Sequence, residues 1–307
     1  MVVLQEEAEI PSIIDWTAKR GGKDRFGCSA KRELGRHLYG GDEGGGSLMV
    51  AWAIAKNTFK EAVRSKILYS LIFFALVMMG ISLVLDQVTV GQRSKIIIDF
   101  GLASINLFGV LIAIVVGIGL VYKEIEKRTI YPLLAKPVRR SEFLIGKYFG
   151  IVLTLGVEVI LMSFFLFLLV TVYGLSTDSR MFDLGLLAAI FLIFLEMAVI
   201  AAVAILFSSF STPFLSGMFT LAVYVIGHLT EDLKRLGTLS GNLVLEKMTA
   251  FFYYLLPNLE NFNIKGEVVY QLPVETGRIL LSLLYGLIYI GILIFFSSLL
   301  FQRRDFR

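Results

Sequence analysis

Six stretches of this chain, at about 67–85, 101–121, 150–173, 184–207, 214–229 and 279–301, run almost without charge. A hydrocarbon layer about 30 Å thick is crossed by roughly 20 helical residues, and every backbone polar group inside it must be satisfied within the protein. Helices meet that demand by themselves. The pattern therefore predicts an all-α polytopic membrane protein with six transmembrane helices. Composition agrees, with 56% apolar and 18% charged residues, against about 45–50% and 25% in soluble domains. The fifth stretch is short, but Pro213 after Ser211 and Thr212 makes a good helix start, so it too is expected to span.

The segments between the spans set the orientation. With the N-terminus inside, residues 52–66, 122–149, 208–213 and 302–307 are cytoplasmic and carry 14 Lys and Arg; the opposite segments 86–100, 174–183 and 230–278 are longer in total and carry eight. Basic residues concentrate on the cytoplasmic side of membrane proteins. Both termini are therefore expected inside, in the cytoplasmic (inner) membrane of a bacterium or archaeon. The net charge of +4 belongs to these flanks, not to a continuous patch, so no nucleic-acid partner is implied.

Residues 1–47 are polar and glycine-rich and read as a disordered tail or as sequence ahead of the true start, with Met49 the expected first residue. From 48 to 66 the pattern changes. Trp52, Ala55, Phe59 and Val63 recur at helical spacing while Lys56, Lys60 and Arg64 take another face. That is an amphipathic helix suited to the headgroup layer, leading into the six-span body over 67–307. In the long segment 230–278, residues 248–257 are apolar and aromatic but too short to span. They predict an interfacial or re-entrant helix, or a plug packed over the bundle.

Catalytic chemistry finds little to work with. The single cysteine, Cys28, permits no intrachain disulfide, and His37 and His228 stand far apart, so no metal or other cofactor is expected. No G-x-x-x-x-G-K-[ST] motif occurs; Gly22-Lys23 and Gly146-Lys147 lack its other residues. The chain should not hydrolyse ATP by itself. Ser216 and His228 fall in one span, but 12 residues of helix separate them by about 18 Å, too far for a nucleophile and its base. No enzyme activity is predicted.

Two carboxylates lie inside spans. Glu158 and Glu196 each carry an insertion cost of about 2.5–3.5 kcal/mol at mid-bilayer, so both should face the bundle interior. No Lys or Arg lies within a span to pair with them. Protonation, or hydrogen bonds from Ser, Thr or Tyr hydroxyls, would accommodate them. They serve as a polar element of a transport path, as a helix–helix latch, or as proton carriers of an ion-coupled transporter.

The segment between spans two and three is the most specific. It continues the second span as a charged helix, Tyr122-Lys123-Glu124-Ile125-Glu126-Lys127-Arg128-Thr129, breaks near Pro132 and Pro137, and restarts after Ser141 as a candidate N-cap. Ile130, Leu133 and Leu134 stand apolar among charges, as suits docking on a soluble partner. The run resembles the charged loop of ABC-2 type permeases, which read acidic–basic–Gly-Thr, then Leu-Leu-Ala-x-Pro-Val-x-Arg, then Gly-Lys. Glu124, Glu126, Thr129, Leu133, Leu134, Ala135, Pro137, Val138, Arg140, Gly146 and Lys147 match; Arg128 stands where many members have glycine. The Lys-Arg-Thr-Ile variant is closer to the NosY-like branch, named for multicopper enzyme maturation, although this chain carries no copper ligands. The likeness extends over about 49–307. It implies a permease subunit of an ATP-driven exporter, with a separate ATP-binding cassette ATPase and a second permease subunit as partners. Its ATPase-coupling element would be Glu124, Glu126, Arg128, Thr129, Leu133, Leu134, Pro137 and Arg140. An ion-coupled carrier using Glu158 and Glu196, or a non-transporting assembly scaffold, are the alternatives.

The orientation is open to direct measurement. In a Cys28-free background, a cysteine at Asn242 should react with a membrane-impermeant thiol reagent in intact cells, and one at Ser141 should react only after lysis. Labelling of Ser141→Cys from outside would invert the topology.

Overall fold

The computed structural model describes residues 43–88, 93–126, 140–176 and 184–303. Its helices are α1 (Glu43–Val63), α2 (Lys66–Val88), α3 (Arg93–Glu126), α4 (Arg140–Ser176), α5 (Leu184–Ser208), α6 (Pro213–Leu239), α7 (Leu243–Leu255), α8 (Lys265–Val269) and α9 (Thr276–Arg303), with a 3₁₀ turn at Leu259–Phe262. Among the described residues there is no strand. Six helices, α2 to α6 and α9, are long and apolar enough to cross a membrane, so the fold is the six-span α-helical one expected. The compact body runs from Val50 onward; the polar segment at 1–42 lies outside the described residues.

Three boundaries differ from expectation. The second span begins earlier, because α3 starts at Arg93 and carries Lys95 and Asp99 in its first turns. The fifth continues past 229 to Leu239, through a charged stretch, Glu231-Asp232-Leu233-Lys234-Arg235, too polar to be counted from hydropathy. And α4 begins at Arg140, so Ser141 lies inside its first turn instead of capping it.

Helix α5 forms the centre. It touches α3, α4, α6 and α9 and is buried around its circumference, from Leu186 and Ala189 to Ile205 and Ser208. Lipid offers apolar side chains the same surroundings as protein, so helices in a bilayer associate through close packing of small residues instead of hydrophobic exclusion. The α3–α5 contact follows that rule. A Cβ placed on Gly109 would lie 1.9 Å from Met197 Cε, and one on Gly117 would lie 2.8 Å from Ala204 Cβ. Gly117 has no room for a side chain, and one at Gly109 would have to displace the end of Met197. Helices α2, α6 and α9 form the periphery and present large apolar side chains outward, among them Phe73, Phe219, Leu281 and Phe295.

Helix α1 docks on the start of α4 by the same means. Gly146 and Gly150 stand four apart on α4, and Cβ atoms there would meet Ala51 O at 2.7 Å and Thr58 Cβ at 2.5 Å. The buried face of α1 is thus the small one, with Ala55, Thr58 and Ala62 each below 4% exposed, while Trp52 points away. The expected face of Trp52, Ala55, Phe59 and Val63 is divided: its alanine packs inward and its tryptophan outward.

The segment after α6 resolves into two parts. Asn242 Oδ1 accepts a hydrogen bond from Val244 N (3.0 Å) and caps α7. This helix runs back along α6, with Thr249 against Gly237 and the Tyr253 ring under Lys234 Nζ at 4.1 Å, and none of its residues is buried. The aromatic stretch is therefore a surface helix. The plug is made by the residues beyond it: Leu259, Phe262 and Ile264 are buried, and the 3₁₀ turn and α8 pack on α3, α5 and α6.

Helical glycine is intrinsically about 1 kcal/mol worse than alanine, so two substitutions separate packing from propensity. A Cβ at Gly291 would meet only open space, and Gly291→Ala should leave the Tm of the detergent-purified protein unchanged or raised. Gly150→Ala should lower it, by the several degrees that an overpacking cost of about 1–3 kcal/mol produces. Equal Tm values for the two variants would remove the close α1–α4 contact.

Candidate functional site

Halfway along α5 the apolar helix carries a carboxylate, Glu196, with no solvent exposure. Two neighbours supply polar groups. Asn106 of α3 donates from Nδ2 to Glu196 Oε2 at 3.3 Å. His228 of α6 places Nε2 3.4 Å from Glu196 Oε1. The other imidazole nitrogen, Nδ1, lies 3.2 Å from the carbonyl oxygen of Tyr224, one turn back on α6. A carbonyl can only accept, so this contact assigns a hydrogen to Nδ1. With that hydrogen on Nδ1, Nε2 is the nitrogen that faces Glu196 Oε1, and no hydrogen bond joins the two. Their separation exceeds an ordinary hydrogen bond, and the site is loose. Glu196 Oε1 and Asn106 Oδ1 make no hydrogen bond among the described residues. They are two buried acceptors at mid-bundle.

The three residues share a depth. Glu196 lies 12 residues from Leu184, the start of α5; Asn106 lies 11 from Lys95 near the start of α3; His228 lies 11 from Leu239, the end of α6. At 1.5 Å per residue each is about 17–18 Å from the helix end on the face that carries residues 240–275.

That face is closed over the site by the plug. Gly227, next to His228, admits it: a Cβ there would lie 2.8 Å from both Pro257 O and Leu259 Cγ. Asn258 fixes the entry, its backbone N donating to Tyr285 Oη (2.8 Å) and its Nδ2 to Glu231 Oε1 (3.1 Å). Ser282 Oγ donates to Asn261 O (2.8 Å), and Arg278 pairs with Glu267. The plug is thus tied to both α6 and α9. Lys265 on α8 has its pKa lowered by burial, against the opposing pull of Glu196, Glu260 and Asp99. Lys265 thus feels three carboxylates, one of them the buried Glu196.

Of the residues singled out from sequence, Glu196 is joined to polar partners and Glu158 is not. Glu158 is buried on α4, and neither of its carboxyl oxygens makes a hydrogen bond among the described residues. Glu196 is met by an amide and an imidazole, not by the hydroxyls expected. His228, which shows no constellation in sequence, is its partner. Ser216 and His228 are not brought together: Ser216 Oγ has no partner among the described residues. Glu124 and Glu126 occupy the last turn of α3 and Arg140 the first position of α4. Arg128, Thr129, Leu133, Leu134 and Pro137 lie outside the described residues.

Substitution separates hydrogen bonding from charge at Glu196. Glu196→Gln keeps an acceptor for Asn106 and should give a monodisperse protein at near wild-type yield. Glu196→Lys puts an ammonium against His228 and Asn106 Nδ2, and a broken buried pair costs about 3–5 kcal/mol; yield and monodispersity should collapse. Equal behaviour of the two proteins on size exclusion would mean that Glu196 is not held by Asn106.

The comparisons with known proteins fit this architecture. No curated protein matches the chain. The model of the ABC-2 family transporter protein matches residues 52–306, which takes in the second half of the docking helix α1, all six spans, the buried pair and the plug. By that match, the chain is a multi-pass membrane protein belonging to the ABC-2 family of transporter proteins.

Proposed function

We propose that this ABC-2 family protein is the permease subunit of an ATP-driven exporter, working with a separate ATP-binding cassette ATPase and a second permease subunit. The observation that carries the reading is the family match across 52–306 in a chain that has no phosphate-binding motif of its own. Energy must then reach the spans through a contact. The segment 122–149 is the proposed contact, because it joins α3 to α4 and both pack on central α5. Glu124, Glu126, Arg128, Thr129, Pro137 and Arg140 would orient the ATPase; Leu133 and Leu134 would anchor it. ATP-driven closure of the ATPases would tilt α3 and α4 and open the path alternately to each side. The match of Lys127-Arg128-Thr129-Ile130 supports the NosY-like, multicopper-maturation branch. The excess of basic residues in 52–66, 122–149 and 302–307 supports both termini on the cytoplasmic side of the inner membrane.

One observation favours a second reading. Glu196 and His228 place two titratable groups 3.4 Å apart at mid-depth, an arrangement that an ion-coupled carrier would use. Glu158 has no link to them and supports that reading less than Glu196 does.

The two readings part at the loop. Truncating buried anchors at an interface costs about 2 kcal/mol or more, close to 30-fold in affinity. Leu133→Ala with Leu134→Ala should therefore release the co-purifying ATPase or abolish its substrate-stimulated hydrolysis, with the spans still inserted. Lys123→Ala or Lys136→Ala should have a smaller, salt-sensitive effect. Normal co-purification and normal stimulated hydrolysis in the double variant would remove the loop as coupling element and move the ion-coupled reading ahead.

A further inference from the structure

The docking of α1 leaves one of its sides to be explained. Successive residues turn by about 100° on a helix. Trp52, Phe59 and Val63 therefore lie within about 20° of one line along α1, and Lys56, Lys60 and Arg64 follow at about 40°, 80° and 120° from it. The side buried against α4, at Ala51, Ala55, Thr58 and Ala62, is centred about 90° away in the other sense. Around the helix the order is packing face, apolar flank, basic arc. Trp52 is 63% exposed, Phe59 and Val63 are half-buried, and Lys56, Lys60, Arg64 and the adjoining Lys66 are all at least partly exposed. On α1 itself the acids, Glu43 and Glu61, lie about 180° from Trp52, beyond Arg64 and outside the arc.

The level of this helix relative to the bilayer follows from what it touches. Gly146 and Gly150, the residues that receive α1, sit five and nine residues into the membrane-crossing stretch of α4 that starts at Ser141. On the same turns Ile145 and Phe149 point outward, and Phe149 is 56% exposed. At its other end α1 is separated from the first span by a single break at Ser65. Both contacts hold α1 at the margin of the hydrocarbon, where an exposed indole is most at home. A cation cluster there meets phosphate, and basic residues beside a span are drawn to acidic lipid by about 1 kcal/mol each, or about fivefold per residue.

We propose that α1 is a binding surface for acidic phospholipids of the adjoining leaflet. Its Trp52, Phe59 and Val63 flank inserts beside the acyl chains, and Lys56, Lys60, Arg64 and Lys66 engage the headgroup phosphates. The inference rests on membership of a membrane transporter family and on the α1–α4 packing, and stands whether or not an ATPase drives transport.

The two tryptophans, Trp16 and Trp52, allow a direct test. In the full chain carrying Trp16→Phe, reconstituted in nanodiscs, Trp52 fluorescence reports which lipid lies next to α1. Acyl-brominated phosphatidylglycerol and acyl-brominated phosphatidylcholine are compared at the same low mole fraction. Quenching by the acidic lipid should be severalfold stronger at low salt and should weaken as salt rises. Lys56→Gln with Lys60→Gln and Arg64→Gln should abolish the preference, since about fivefold per residue compounds to about 100-fold, while overall quenching persists and size exclusion is unchanged. Equal quenching by both lipids in the unsubstituted arc would overturn the proposal, leaving α1 in contact with lipid of any charge. Absence of quenching by either would overturn it differently, by turning the arc toward a soluble partner.

Discussion

Everything in the bundle depends on how closely α3 and α5 approach. Apolar side chains gain nothing by leaving lipid for protein, so a central helix must be held by dense packing and by polar contacts that lipid cannot supply. Gly109 and Gly117 bring the α3 backbone against Met197 and Ala204, and between those two points α5 is rich in alanine. Asn106 lies one turn before Gly109, and its amide reaches Glu196 in the same groove. The glycine packing and the buried hydrogen bond are two parts of one interface. A larger residue at Gly117 would press the helices apart and draw Asn106 away from its carboxylate, whereas one at Gly109 would first displace the end of the Met197 side chain.

This explains how Glu196 can be tolerated at the centre. An uncompensated carboxylate in hydrocarbon is expensive, but here an amide donor comes from one neighbouring helix and an imidazole from another. Part of the cost is offset by the Asn106 hydrogen bond, and both contacts also specify which helices adjoin. Glu158 shows the alternative: equally buried and without a hydrogen-bond partner among the described residues, it has no comparable account in the contacts of α4.

The architecture is legible in the sequence because the bilayer imposes it. Length and absence of charge identify a span almost regardless of tertiary context, and all six stand at nearly the positions that hydropathy marks. The site is only half legible. Glu196 declares itself as a charge in an apolar run, but its partners do not, for a geometric reason. If the second span starts at 101 and the fifth ends at 229, Asn106 and His228 fall near a membrane surface, far from the level of Glu196. The structure extends α3 back through Lys95 and α6 on through Arg235, and all three then fall at one depth. Charged turns at helix ends look like loop in a hydropathy reading, yet they set the level of everything after them. The α1 packing face escapes for a related reason. Large apolar residues suggest the buried side, whereas close helix contact in a membrane selects the small ones, here Ala55, Thr58 and Ala62.

The same geometry constrains how a transport cycle could run in this fold. Helix α3 carries Asn106 in its middle and ends at Glu126, at the edge of the proposed coupling segment. Helix α6 carries His228, and through Gly227 and Glu231 it also carries the plug. Glu196 therefore joins two helices with different attachments: one leads toward the ATPase contact proposed above, the other toward the cover on the opposite face. A tilt of α3 that kept Asn106 on Glu196 would move α5 with it and stretch the 3.4 Å contact to His228, which is the looser of the two. Loss of that contact would free α6 to move, and with it the Glu231 tie to Asn258; the ties of the plug to α9, through Tyr285, Ser282 and Arg278, would remain as a hinge. In a cycle driven through the proposed contact, the buried pair would be the point at which motion from one face passes to the other.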